Sequence, residues 1–260
     1  MLSVTLFAKA YNNSQLKLVD KFLTSTLKGL NVKTKIVGVN PRRWIQVTIS
    51  GEDEKAALHY LTDEIGLCPI SLEGVKKFSA MRGRVIGIDR SKDELCLDIG
   101  VYLPKIIDVS VPLQRLQAQL LDGKRVALEE IADLFGFCEN LPLEIKISNI
   151  HIANEHIEAM LSEEQLSQYR QWVRSLLDRL IILGASLEEI RLALKMARCN
   201  RDVIDVEPLG LFEYALVCKL GTDAAGLMPK IGRNLRNAAL TVFNPKKVLE
   251  FLDNSATFIS

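Results

Sequence analysis

The hydrophobic period of this chain changes twice, and any fold it adopts must accommodate both changes. Residues 1 to about 75 alternate strand and helix signals, residues 76 to about 150 read as short strands, and residues 151 to 260 open on sharply capped helices. Neither one sheet nor one bundle satisfies all three patterns. The chain therefore reads as a multidomain α+β protein with units at 1–75, 76–150 and 151–260, long enough for each to bury its own core.

In the first unit Ser3 to Ala10 is β-rich, and Leu16, Val19, Phe22, Leu23 and Leu27 recur on one face of a helix that Gly29 stops. Val32 to Val39 and Trp44 to Ser50 flank a hairpin turn, and a second helix runs from Ser50 to Gly66. With a further strand expected at Ile70 to Val75, the order βαββα predicts a ferredoxin-like two-layer unit. At the hairpin tip, Arg42 and Arg43 beside Trp44 offer guanidinium groups for phosphate and an indole for stacking a base, a pattern used on single-stranded RNA. The same indole would serve equally well in the core, leaving two solvated arginines.

The middle unit starts with Gly83-Arg84-Val85-Ile86-Gly87-Ile88-Asp89, a charged turn, and a second strand ending Asp98-Ile99-Gly100. Ile106 to Val111, a helical insertion at Ala127 to Phe135 and a closing strand at Leu143 to Ile150 follow. These motifs resemble the S-one type of RNA-binding OB barrel, which implies a five-stranded Greek key. Where such barrels display aromatic residues, this chain has Leu95-Cys96-Leu97, so no stacking platform is visible.

Two capping boxes, Ser162-Glu163-Glu164-Gln165 and Ser186-Leu187-Glu188-Glu189, open the last unit. The first predicts a helix reaching Gly184, so that the second begins after a tight corner and the two form a helical pair. With strands at Val203 to Val206 and Leu211 to Leu220, that outline resembles a winged helix-turn-helix. Arg191, Lys195 and Arg198 would lie on its second helix as a DNA-reading stripe or as ordinary solvated surface. A small α/β unit ends the chain.

That end carries the most suggestive chemistry. The formal net charge of +1 hides two basic segments. Residues 1 to 50 hold eight Lys or Arg against one acid, and residues 224 to 249 hold five bases and no acid. Gly221 to Gly226 turns from a strand into a helix whose first N–H groups could meet an anion, with Lys219 and Lys230 beside them. For a helix starting near Leu227, with Pro229 in its first turn, Lys230, Arg233 and Arg236 line one side, and Lys246 and Lys247 follow. The turn matches neither the P-loop nor GxGxxG, so a nucleoside triphosphatase is not expected.

His59, His151 and His156 lack metal-ligand spacing, and no nucleophile or metalloprotease motif occurs, so neither an enzyme, a metal site nor a cofactor is expected. Five scattered cysteines without a CxxC pair read as reduced thiols of a cytoplasmic protein. No apolar run is long enough to span a membrane. The residues Cys218 to Ala238 and Thr241 to Lys247 resemble the C-terminal signature of an archaeal family described as a domain of unknown function. That resemblance implies an archaeal cytoplasmic origin and supplies no activity. The order of units is also similar to the alpha subunit of archaeal translation initiation factor two. Together these features predict a non-catalytic RNA- or ribonucleoprotein-binding protein, translation- or ribosome-associated, that uses Lys219, Lys230, Arg233, Arg236, Lys246 and Lys247, with Arg42, Arg43 and Trp44. A DNA-binding regulator and a protein-interaction scaffold are the alternatives.

Overall fold

Alternation drives the first sheet. In a computed structural model, which describes residues 1–151 and 156–254, Leu2–Lys9 (β1), Val32–Val39 (β2) and Trp44–Gly51 (β3) form an antiparallel sheet in the order β1-β3-β2. One face of that sheet, carrying Leu6, Ala8, Ile45, Val47 and Ile49, packs on Asn13–Thr26 (α1) and Glu54–Glu64 (α2) through Val19, Leu23, Ala57 and Leu61. Asn12 starts α1 by accepting the N–H of Gln15. The strand expected at Ile70 to Val75 is absent. Two isolated bridges, Leu6 to Leu67 and Ser71 to Leu103, and a 3-10 turn at Leu72–Gly74 take its place.

The middle of the chain closes into a barrel. Ala80–Asp89 (β4), Glu94–Asp98 (β5), Val109–Pro112 (β6), Pro142–His151 (β7) and His156–Leu161 (β8) run in the order β4-β5-β6-β8-β7, with β6 and β8 parallel and the other pairs antiparallel. Between β6 and β7 lie Leu113–Leu120 (α3) and the expected insertion helix, Leu128–Phe135 (α4). The barrel interior is filled by Val85, Leu95, Leu97, Val109, Ile145 and Ile157, so it is a packed core and not a ligand cavity.

The third unit departs from the expected helical pair. Glu163–Ser175 (α5) stops with Leu176 in the left-handed region at φ 55°, and Arg179–Leu183 (β9) is a fully buried strand, not the tail of that helix. Leu187–Ala197 (α6), Val203–Pro208 (β10), Glu213–Cys218 (β11), Ala224–Gly232 (α7), Ala239–Phe243 (β12) and Pro245–Asn254 (α8) complete the chain. The sheet order is β10-β11-β9-β12, antiparallel throughout. From β9 to β12 the element order is therefore βαββαβ, a second ferredoxin-like arrangement.

Because β9 sits in mid-sheet, its side chains divide between two cores. Leu180 and Ile182 meet Ile190, Ala193 and Leu194 of α6 and Leu227 and Ile231 of α7. Ile181 and Leu183 face the other way, with Phe243, toward Leu166, Tyr169 and Trp172 of α5 and the barrel core. Helices α5 and α6 thus lie on opposite faces of one sheet. They cannot form a helix-turn-helix, and β10 and β11 are sheet strands, not a wing.

Candidate nucleic-acid interface

The turn after β11 is organised by carboxylates. Asp223 is the N-cap of α7 and accepts the N–H groups of Ala225 at 3.0 Å and Gly226 at 3.1 Å. The buried Asp178 accepts the N–H of Ala224 at 3.1 Å. Those donors were the expected phosphate site, and two acids already hold them; a phosphate there would meet like charge. The helix also starts three residues earlier than expected, at Ala224, so Pro229 lies within it. Lys230 therefore falls in the last turn, Arg233 is the C-cap and Arg236 lies beyond, where a shared helical stripe no longer applies.

All six basic residues nevertheless reach solvent. Lys219, Lys230, Arg233, Arg236, Lys246 and Lys247 are exposed, and none of them forms an ion pair among the described residues. Lys219 and Lys246 share a hollow of about 230 Å³ with Gly221, Thr222 and Asn244, although Asp178 and Asp223 line it too. Arg233 and Arg236 share a wider hollow of about 370 Å³ with Asn234 and Asn237. Lys247 follows Lys246 in the first turn of α8.

The hairpin tip behaves differently. The Arg42 guanidinium is 3.0 Å from Asp108 of the barrel, and Arg43 donates from Nε to the carbonyl of Ala10. Trp44 is fully buried, 5.1 Å from the Phe7 ring, and its indole N–H donates to Asp98 at 2.8 Å. The expected base-stacking platform is therefore a core residue where the first unit docks on the barrel. A Trp44→Phe protein should lose about 1 kcal/mol of stability, since Asp98 keeps Lys9 and the N–H of Gly100 as partners. Its RNA affinity should stay within about twofold of the native value; a tenfold loss with the fold intact would restore Trp44 to the interface.

Beneath that contact lies a junction of charges. Lys9 is 2.8 Å from Asp98; burial lowers the Lys9 pKa, against the pull of the Asp98 carboxylate. Arg84 donates from Nη2 to one oxygen of Glu213 at 2.8 Å, holds Nη1 2.7 Å from the other as an ion pair, and donates from Nη1 to the Tyr11 hydroxyl and the carbonyl of Asn140. Tyr11 donates its hydroxyl hydrogen to Glu213 at 2.8 Å, and burial, then the Glu213 charge, push its pKa up. Burial works against the Arg84 charge, but Glu213 and Tyr11 outweigh it and leave its pKa raised. Arg82 donates to the carbonyls of Ile65 and Leu209. Tyr11, Arg84 and Glu213 come from the first, second and third units, so the cluster fastens all three together.

Close backbone approach makes this possible. Gly184, at φ +96°, donates its N–H to the carbonyl of Phe212 and accepts from the side chain of Gln15, and a Cβ there would lie 2.8 Å from the Tyr11 ring. The sequence signal that could have revealed the junction is Glu213, an acid inside the apolar run Leu211 to Cys218. A buried charge must find a partner, and Arg82 and Arg84 flank a glycine in β4.

Each ferredoxin-like sheet spends part of its non-helical face internally, while Lys33 and Lys35 on the edge strand β2 stay exposed. Phe7 and Trp44 of the first sheet lie under Arg84, and Ile181 and Phe243 of the second under α5 and the barrel. Arg191, Lys195 and Arg198 remain exposed on and after α6. Among the described residues no three His, Cys, Asp or Glu side chains gather as a metal site, and no helix is long and apolar enough to cross a membrane.

Family models match three consecutive stretches of the chain: the DUF2110 N-terminal domain at residues 3–69, the DUF2110 central domain at 76–173 and the DUF2110 C-terminal domain at 177–243. No curated protein matches the sequence. Among solved structures the chain is similar to an a/eIF2alpha-aDim2p-rRNA complex from Pyrococcus horikoshii OT3, at 12% identity over 50% of this chain and 70% of that one, with TM-score 0.25. It is also similar to the intact alpha subunit of aIF2 from Pyrococcus abyssi, at 11% identity over 66% and 98%, with TM-score 0.26. A multidomain protein with nucleic acid binding domains from Streptococcus pneumoniae TIGR4 matches at 6% identity over 86% and 54%, with TM-score 0.23. Overlaps this slight leave the functional reading to the chain's own residues.

Proposed function

The chain belongs to the DUF2110 family, and from that premise we propose that it is a non-catalytic protein that binds RNA or ribonucleoprotein through its phosphates. One observation carries the reading. Six of the exposed cations of the last unit, Lys219, Lys230, Arg233, Arg236, Lys246 and Lys247, lack carboxylate partners among the described residues, whereas the buried Lys9 and Arg84 are both paired. Exposed cations without partners are available to release counterions from a phosphodiester backbone. With Phe7, Trp44 and Phe243 of the two sheets buried, the contact is to backbone phosphates and not a stack of bases on a sheet. The free cysteines among the described residues fit a reducing cytoplasm.

A protein partner is the second reading, favoured by Leu192 and Met196, which stand 58% and 63% exposed on α6. Affinity for a single-stranded RNA, measured against salt concentration, separates the two. The RNA reading expects a steep fall with salt, and absent or salt-insensitive binding contradicts it.

A further inference from the structure

The wider of the two basic hollows has a composition that a bare phosphate contact does not need. It opens between Asn12 at the start of α1, Gly184 and Ala185 after β9, Glu189 and Met196 of α6, and residues 233–238, and encloses about 370 Å³. That volume lies in the range of small-ligand sites, about 300 to 1,000 Å³. Its polar groups are of three kinds. Arg233 and Arg236 are exposed guanidinium groups, suited to bidentate contact with a phosphate. Asn12, Asn234 and Asn237 bring carboxamides, although the Asn12 oxygen already accepts from Ser14 and Gln15 and the Asn234 amide already donates to the Lys230 carbonyl. Glu189 brings a carboxylate, of which one oxygen is held by the N–H and hydroxyl of Ser186, both at 2.8 Å. Met196 and Ala238 supply apolar surface over the buried Leu235.

A phosphate alone would be repelled by Glu189, and a purely apolar ligand would strand the arginines and amides. A nucleotide satisfies all of them. Its phosphate faces Arg233 and Arg236, its base lies on Ala238 and the polarizable, exposed Met196 thioether, and its edge meets the amides and the free oxygen of Glu189. We propose that this hollow holds one unstacked nucleotide of a bound RNA strand, with preference for a base bearing an amino group that can donate to Glu189. The proposal rests on the RNA reading above and adds base discrimination to it. It also gives a role to the contact between the first and last units, because Asn12 and Glu189 reach the hollow from different units.

The test uses the whole chain, the four nucleoside monophosphates, and single-stranded RNA oligomers differing in one base. Two variants are chosen to spare the fold: Asn237→Ala, at an exposed residue, and Glu189→Gln, whose carbonyl can still cap α6. The expected results are that Asn237→Ala weakens the monophosphates several-fold, and that Glu189→Gln erases the preference of guanosine over uridine monophosphate while leaving the salt dependence of RNA binding unchanged. Monophosphates that do not bind, or bind both variants as they bind the native chain, overturn the nucleotide hollow. If RNA still binds steeply with salt in that case, the phosphate reading survives. Loss of all RNA binding by the native protein would instead overturn that reading, whatever the monophosphates do.

Discussion

An Arg84→Met protein unfolds at far lower denaturant than the native chain, having lost about 3 to 5 kcal/mol of stability. Arg84 is fully buried and meets both oxygens of Glu213, while Tyr11 reaches the same carboxylate from the first unit. Without the guanidinium, Glu213 keeps only the Tyr11 hydroxyl and a long contact of 3.4 Å from the N–H of Phe212. A buried carboxylate left in that state must bear its desolvation or take up a proton, and either course weakens the folded state. Replacing both partners, as in Arg84→Met with Glu213→Leu, should return most of the loss, since apolar residues of similar size need no partners. Because the cluster draws on all three units, the single variant should loosen them together. Urea unfolding followed by fluorescence and circular dichroism checks this; a single variant within about 1 kcal/mol of the native protein would show that the cluster does not fasten the units.

The second large effect concerns binding. Reversing Lys230, Arg233 and Arg236 to glutamate should lower the affinity for single-stranded RNA at least about a hundredfold at low salt, since three phosphate contacts are lost and three repulsions added. The fold should tolerate the change, because all three side chains are exposed and none is in an ion pair among the described residues. Neutralising Arg191, Lys195 and Arg198 on α6 is the matched control and should leave the RNA affinity within a few-fold of native. A larger loss from the α6 set than from the α7 set would move the interface to that helix.

The comparison of sequence with structure turns on a few residues. Ser162 and Ser186 announced their helices correctly because a cap is a local arrangement, written within four residues. The run Arg179 to Leu183 misled because a strand buried on both faces carries no alternation, and behind a capped helix it continues the apolar face of that helix. Reading it as a strand would have revealed βαββαβ at the chain's end and removed the helix-turn-helix. Trp44 and its two arginines misled for another reason. Whether an exposed-looking hairpin tip meets RNA or a neighbouring domain depends on Asp98 and Asp108, more than fifty residues away. The basic residues themselves were legible as a cluster without acids, but the capping of α7 by Asp223 and Asp178 was not, since Asp178 arrives from another part of the fold.

The central claim is that exposed, unneutralised cations of the last unit meet RNA phosphates. The slope of log affinity against log salt concentration counts those contacts directly, at about 0.7 per phosphate on a single strand. If the six basic residues all engage, the native chain should show a slope near −4, and the Lys230, Arg233 and Arg236 reversal should bring it to about −2 or shallower. A native slope near zero, or the same slope in both proteins, contradicts the account.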